Sequence, residues 1–340
     1  MAITISVLDQ SPIYPGETPE EAFAHTISLA QLSERLGFRR FWVSEHHDSE
    51  QVAGSSPEVL ISHLLAKTER IRIGSGGIML QHYSPYKVAE NFNVLASLAP
   101  GRVDLGVGRA PGGLPRSTQA LQQGGGEAAS LTDKIVELEK YVHNRLEAKH
   151  PLHGLKAGPL PGIPPELHVL GASVASAEIA ASLGLPYVFS LFIGGDQAVA
   201  LEAVRAYRSG FNSSGGQEPQ VIIALAVIVA DTEEEAVELA GAHKLIRIRF
   251  ASGKTLTLAS REQAEEFTRQ SEEAYTLEER ELEITKGTKE TVREQLLALA
   301  EASGVEEFIV TTNIQPFGKR QRSFELLSEA LAGAIAGASL

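Results

Sequence analysis

The chain contains no cysteine. That excludes disulfides, thiolate nucleophiles and cysteine-held zinc or iron–sulfur centres. Positive charge is also short: 30 Lys and Arg stand against 43 Asp and Glu, a net charge of −13. Nucleic-acid partners are disfavoured, because binding them leans on cations that neutralise phosphates. One local anion site built from an arginine and backbone amides is still compatible with that balance. Long apolar runs are missing too. The longest, Val221 to Ala230, suits a buried strand and is too short to cross a bilayer as a helix. The opening Met-Ala-Ile-Thr has no basic segment leading into an apolar one, so no secretory signal is read and a cytoplasmic protein is expected.

What is present is the make-up of an ordinary globular enzyme, 43% hydrophobic and 21% charged. Eight apolar or β-branched stretches read as strands: Ile3–Leu8, Phe41–Val43, Ile71–Ile73, Val103–Val107, Leu167–Leu170, Tyr187–Leu191, Val221–Val229 and Phe308–Thr311. Most are continuous rather than alternating, as expected of strands covered on both faces. Helical spacing lies between them. Phe23, Ile27 and Ala30 share one helix face, as do Phe324, Leu327, Leu331 and Ala334. Thr18-Pro19-Glu20-Glu21 reads as a capping box with proline at the first helical position. Ser56-Pro57 and Ser84-Pro85 repeat the cap-and-proline pattern, Asp231 with Glu234 reads as another box, and Gly37 as a helix end.

Strands alternating with helices predict an α/β chain of parallel units, and the count fits a (β/α)8 TIM barrel. Such a barrel averages about 250 residues, so roughly 90 must be insertion. Pro111–Ser130 and Ser252–Thr288, after strands 4 and 7, are the places that can hold it. The chain is expected to form a single domain over 1–340. The competing reading is an open doubly wound sheet. It calls for a glycine-rich turn after the first strand, where Asp9-Gln10-Ser11-Pro12 stands instead.

Four stretches offer chemistry at strand ends, where a barrel carries its site. Glu45-His46-His47 follows the second strand. Adjacent residues on an extended chain point opposite ways, so this pair is a poor metal site, and no spaced zinc motif occurs; no metal is expected. One histidine moving a proton while the other packs is the better chemical reading, and two solvated loop histidines the plain one. Gly76-Gly77 closes the third strand and lets a flat ligand approach the backbone, or forms a simple turn. Arg109 ends the fourth strand and can clamp an anion or cap the rim. Ala172-Ser173 and Ser176 lead from the fifth strand into a helix, whose free amides and dipole suit an anion; a bare serine cap is the alternative.

Taken together, "WVSEHH", "IRIGSGGIML", "ENFNVLASLAPGRVDLGVGR" and "SVASAEIAASLGLPYVFS" resemble the bacterial luciferase-like family of flavin-dependent monooxygenases, over nearly the whole chain and in order. The resemblance implies a (β/α)8 barrel that takes reduced FMN, often supplied by a separate flavin reductase, and commonly forms a homodimer. It implies His46 as active-site base and Glu45 as its acidic neighbour at the cofactor. Arg109, Ser173 and Ser176 would hold the flavin phosphate, with Ala172 adding its backbone. Gly76–Gly77 would lie beneath the ring, and a cis peptide is predicted there. About 252–288 corresponds to a mobile lid. Ala172 stands where luciferases carry an acidic residue, and Gly108 where some carry a reactive cysteine, so light emission is not implied. The expected activity is monooxygenation of a small organic substrate by reduced FMN and oxygen. The alternatives are a deazaflavin-dependent hydride transferase and a non-catalytic flavin-binding protein. Tyr14, His82, Leu191 and Phe192 are expected to line part of the pocket.

Overall fold

The computed structural model describes residues 3–123, 129–241, 244–253, 255–258, 261–271 and 273–332. Eight parallel strands close into a barrel: β1 (Thr4–Asp9), β2 (Arg40–Val43), β3 (Arg72–Met79), β4 (Val103–Gly108), β5 (Glu166–Gly171), β6 (Tyr187–Ser190), β7 (Val221–Val229) and, last in the chain, Glu307–Thr311. Closure comes from β7 pairing with β6 through Tyr187↔Val221 and with the last strand through Ile222↔Glu307. The (β/α)8 expectation therefore holds, and the open doubly wound sheet is set aside.

Alternation along each strand separates two cores. Outward residues such as Ile5, Phe41, Ile73, Leu105, Val169, Ile223 and Phe308 are fully buried under the helices. Inward, Leu8, Trp42, Val188, Ile222, Ala224 and Ile309 pack together inside the barrel. Strands sandwiched in this way read as continuous apolar runs, which is why all eight were legible.

Between β7 and the last barrel strand lies a second, three-stranded antiparallel sheet. It is formed by β8 (Lys244–Phe250), β9 (Thr255–Leu258) and β10 (Tyr275–Glu281), and β11 (Ile284–Gly287) then adds to the far half of β7. The last barrel strand is thus β12. One face of the small sheet, with Ile246, Ile248 and Phe250, packs on Ala264 and Phe267 of the helix Arg261–Arg269 and on Leu114.

Local expectations were corrected in three places. The helix Pro19–Arg35 has the expected Thr18 box, and Ala30 is buried as expected, but the buried face runs on through Ala22, Thr26, Leu29 and Ser33, with Phe23 and Ile27 only half-buried at its edge. Small residues let the helix approach the barrel, where Thr26 Oγ1 donates to Asp9 Oδ2 at 2.6 Å. The helix Glu233–Ala240 is capped by Thr232, which accepts from Glu235 N–H at 3.1 Å. Asp231 is taken up by Arg322 at 2.8 Å instead. Ser56 and Ser84 precede their prolines without a side-chain cap bond. Phe324, Leu327 and Leu331 are buried in the helix Phe317–Leu331, and Ala334 lies outside the described residues. Gly37 sits at a φ of 75° just past its helix.

Candidate active site at the mouth of the barrel

All eight strands point their C-terminal ends to one mouth, so the segments leaving them converge. The chain leaves β2 through Ser44 and Glu45. Glu45 is fully buried. Its Oε2 accepts the Met79 N–H at 3.0 Å, and its Oε1 accepts the Tyr83 hydroxyl at 2.8 Å and lies 2.7 Å from His47 Nε2. This carboxylate therefore ties the exit of β2 to the last residue of β3. Burial, and then Glu45 beside it, pushes the Tyr83 phenol far up, so it stays a donor.

His46 is set differently. Its backbone N–H donates to Gly54 O at 2.8 Å and its ring Nδ1 lies 3.1 Å from Ser44 Oγ. Among the described residues, Nε2 has no hydrogen-bond partner. Burial pulls the imidazole down to about 4, opposed by the Glu45 charge and assisted by His47. The residue as a whole is half-buried. Near neutral pH it is an uncharged ring at the mouth, able to accept a proton.

The floor beside it is bare backbone. The Gly76–Gly77 peptide is cis, as the sequence reading predicts. A Cβ on Gly77 would stand 2.7 Å from Gly106 O, and one on Gly106 would stand 2.2 Å from Ser75 O. Side chains are excluded from both positions, so β3 and β4 meet closely at the height of the mouth.

The helix Val174–Leu183 begins directly after β5. Ser173 is its N-cap and accepts from Ser176 N–H at 3.3 Å. Ser176 Oγ lies 2.9 Å from Tyr187 OH, whose phenol burial raises to about 12 and so keeps protonated. Ala172 leads into this cap and is half-buried. On the neighbouring strand, Val107 is level with Val169. Continuing that register brings the exposed Arg109 abreast of Gly171, at the foot of the serine cap. Arg109 makes no hydrogen bond or ion pair among the described residues. A cation and a serine-capped helix N-terminus side by side fit a phosphate.

Of the other expected lining residues, Phe192 packs with the inner cluster. Leu191 packs in the outer core, and His82 turns its Nε2 to Pro111 O at 2.8 Å. Tyr14 OH is buried without a partner. Sequence reading missed the polar groups on the opposite rim, where Gln10 follows β1 and Thr311 and Asn313 end β12. It also missed the charges at the foot of the barrel. There Arg40 Nη1 lies 3.1 Å from Asp104 Oδ2, 3.5 Å from Glu166 and 3.2 Å from His168 Nε2. Asp104, Glu166 and His168 are spaced like metal ligands, but this guanidinium already supplies the cation among them. Asp104 also accepts the Trp42 indole N–H at 2.8 Å, so the foot is a structural plug.

The small sheet lies over the loops of the mouth. Gln263 reaches Gln51 after β2 at 3.2 Å. Arg116 after β4 donates its N–H to Gln270 at 3.1 Å and pairs with Asp48 at 2.5 Å. Ile193 and Gly195, after β6, line a small cleft with Leu245, Arg247 and Thr257.

The closed parallel barrel thus brings a phosphate-suited rim and an uncharged histidine to one mouth. Residues 1–307 match the luciferase-like monooxygenases, and the chain belongs to that family of enzymes. It is 41% identical to the N-acetyl-S-alkylcysteine monooxygenase of Bacillus subtilis (strain 168), over 98% of this chain and 99% of that one. The crystal structure of apo-MsnO8 superposes with a TM-score of 0.81 at 34% identity, covering 97% of this chain and 98% of that one. The oxygenating constituent of 3,6-diketocamphane monooxygenase from Pseudomonas putida, solved in complex with FMN, shares the fold with a TM-score of 0.71 at 19% identity, covering 98% of this chain and 99% of that one. Among the described residues, no helix is long and apolar enough to cross a membrane.

Proposed function

We propose that this chain is a flavin-dependent monooxygenase that uses reduced FMN and molecular oxygen on a small organic substrate. The observation that carries the reading is the pairing of an exposed, unpartnered Arg109 with the Ser173–Ser176 cap on the next strand. That pair suits the phosphate of FMN. Reduced FMN, delivered by a separate reductase, supplies the electrons and activates oxygen. The chain binds and orients it: the Gly76–Gly77 backbone admits a flat ring, and His46 holds or moves a proton at its free Nε2. The small sheet and the part of 252–288 that precedes β11 act as the lid that excludes water. Glu45 acts through the backbone of Met79, below the cofactor. N-acetyl-S-alkylcysteines are the first substrates to try, after the named relative.

A second copy of the chain completes the assembly as a homodimer. Val59, Val94 and Leu98 expose apolar surface on the helices Pro57–Lys67 and Pro85–Leu98, beside a cavity of about 300 Å³ lined by Glu58, Tyr83, Lys87 and Phe92. The test of the cofactor is an anaerobic titration with reduced FMN and reduced riboflavin. FMN should bind roughly 10- to 100-fold tighter, since the phosphate contacts are charge-assisted. Equal affinities, or tighter binding of a reduced deazaflavin, would overturn the reading.

A further inference from the structure

The rim opposite the phosphate cradle carries polar capacity that the protein leaves unused. In the closed ring of strands, β12 and β1 lie across the mouth from β4 and β5. Gln10 continues the inward series Ser6 and Leu8 of β1, and Asn313 continues the inward series Ile309 and Thr311 of β12. Val7 is level with Val310, so the register leads Gln10 to Asn313, and Asn313 Nδ2 donates to Gln10 Oε1 at 2.7 Å. That bond fixes the Gln10 amide and leaves its Nε2 with no partner among the described residues. Next to it, Asn313 Oδ1 and Thr311 Oγ1 are buried polar atoms without partners. Buried polar groups are nearly always satisfied, so two unmet buried atoms beside the open Gln10 amide point to a ligand.

Resting on the flavin reading above, we infer that Gln10, positioned by Asn313, receives the imide edge of the flavin pyrimidine ring. The edge presents carbonyl, N–H and carbonyl in a row, and a fixed side-chain amide offers both a donor and an acceptor to it. The opposite, dimethylbenzene edge is apolar and would leave this rim unsatisfied. A molecule held by its phosphate at Arg109 and Ser173 crosses the mouth and brings its far end here. Exchange of the Gln10 and Asn313 amide orientations would still present one donor and one acceptor. The reduced flavin carries more negative charge on its pyrimidine ring than the oxidised form does. An amide N–H at that edge therefore favours the reduced cofactor, which the reaction needs.

Two ligand comparisons test this on the intact chain. The unaltered protein should bind reduced FMN at least tenfold tighter than reduced N3-methyl-FMN, in which the imide N–H is blocked. Gln10→Leu should remove most of that ratio and lower the preference for reduced over oxidised FMN about tenfold, equivalent to about 30 mV in the two-electron potential. The FMN-to-riboflavin ratio reports the phosphate end and should stay unchanged in Gln10→Leu. Asn313→Leu should act in the same direction and more weakly. Equal binding of FMN and its N3-methyl derivative by the unaltered protein would overturn the subsite without touching the flavin assignment. Loss of the phosphate ratio in Gln10→Leu would show a general distortion and would also count against it. Failure of any flavin to bind would overturn both.

Discussion

Glu45 is the most informative side chain to remove, because one carboxylate serves three donors. In Glu45→Ala, the Met79 N–H, the Tyr83 hydroxyl and the His47 ring lose their acceptor together inside the protein. An unmet buried donor costs about 1–3 kcal/mol, and partial relaxation brings the sum to about 3–5 kcal/mol. Unfolding entropy near 2.1 cal/mol/K per residue turns that into a fall in melting temperature of roughly 4–7 °C for a chain of this size. Glu45→Gln keeps one carbonyl acceptor and should lose less than half as much. Thermal unfolding by calorimetry, with both variants beside Tyr83→Phe, reads this directly. The reasoning fails if Glu45→Ala melts like the parent, or if Gln is as damaging as Ala. Weakened flavin binding in Glu45→Gln with unchanged stability would return Glu45 to direct cofactor contact.

Arg109→Ala should weaken FMN by about 2 kcal/mol or more, with little effect on riboflavin, and equilibrium binding of both flavins checks it. His46→Ala should lower turnover roughly 10²- to 10⁴-fold if the ring carries a proton, read as kcat at saturating flavin. The same ring sets a pH signature. Its pKa falls from 6.5 to about 4 on folding, so the unfolded chain binds the extra proton between those values. Stability should therefore drop as pH falls below about 6.5, by up to about 3 kcal/mol near pH 4, and His46→Gln should flatten that slope in chemical denaturation.

The barrel was legible because its strands are buried on both faces and its helices begin at proline and threonine caps. The small sheet was not. Lys244–Phe250 mixes charged and apolar residues along a half-exposed strand and was not read as one, and Ser252–Thr288 was read only as a long charged insertion. The neighbouring places of Arg109 and the Ser173 cap were legible because an arginine after a strand and serines before a helix are local patterns. The buried glutamate was placed beside the cofactor by resemblance, whereas its hydrogen bonds run to Met79, Tyr83 and His47. Gln10, Thr311 and Asn313 gave no local signal: their juxtaposition needs residues about 300 positions apart to pair, which only barrel closure supplies. The Arg40–Asp104 plug was hidden for the same reason.

Isotope incorporation tests monooxygenation most directly. The protein would be given reduced FMN from a regenerating reductase, an N-acetyl-S-alkylcysteine and ¹⁸O₂, and the product examined by mass spectrometry. The account predicts one ¹⁸O atom per product molecule, dependent on reduced FMN and abolished or nearly so in His46→Ala. Product carrying only solvent oxygen, or substrate oxidation that proceeds equally well without oxygen, would contradict it.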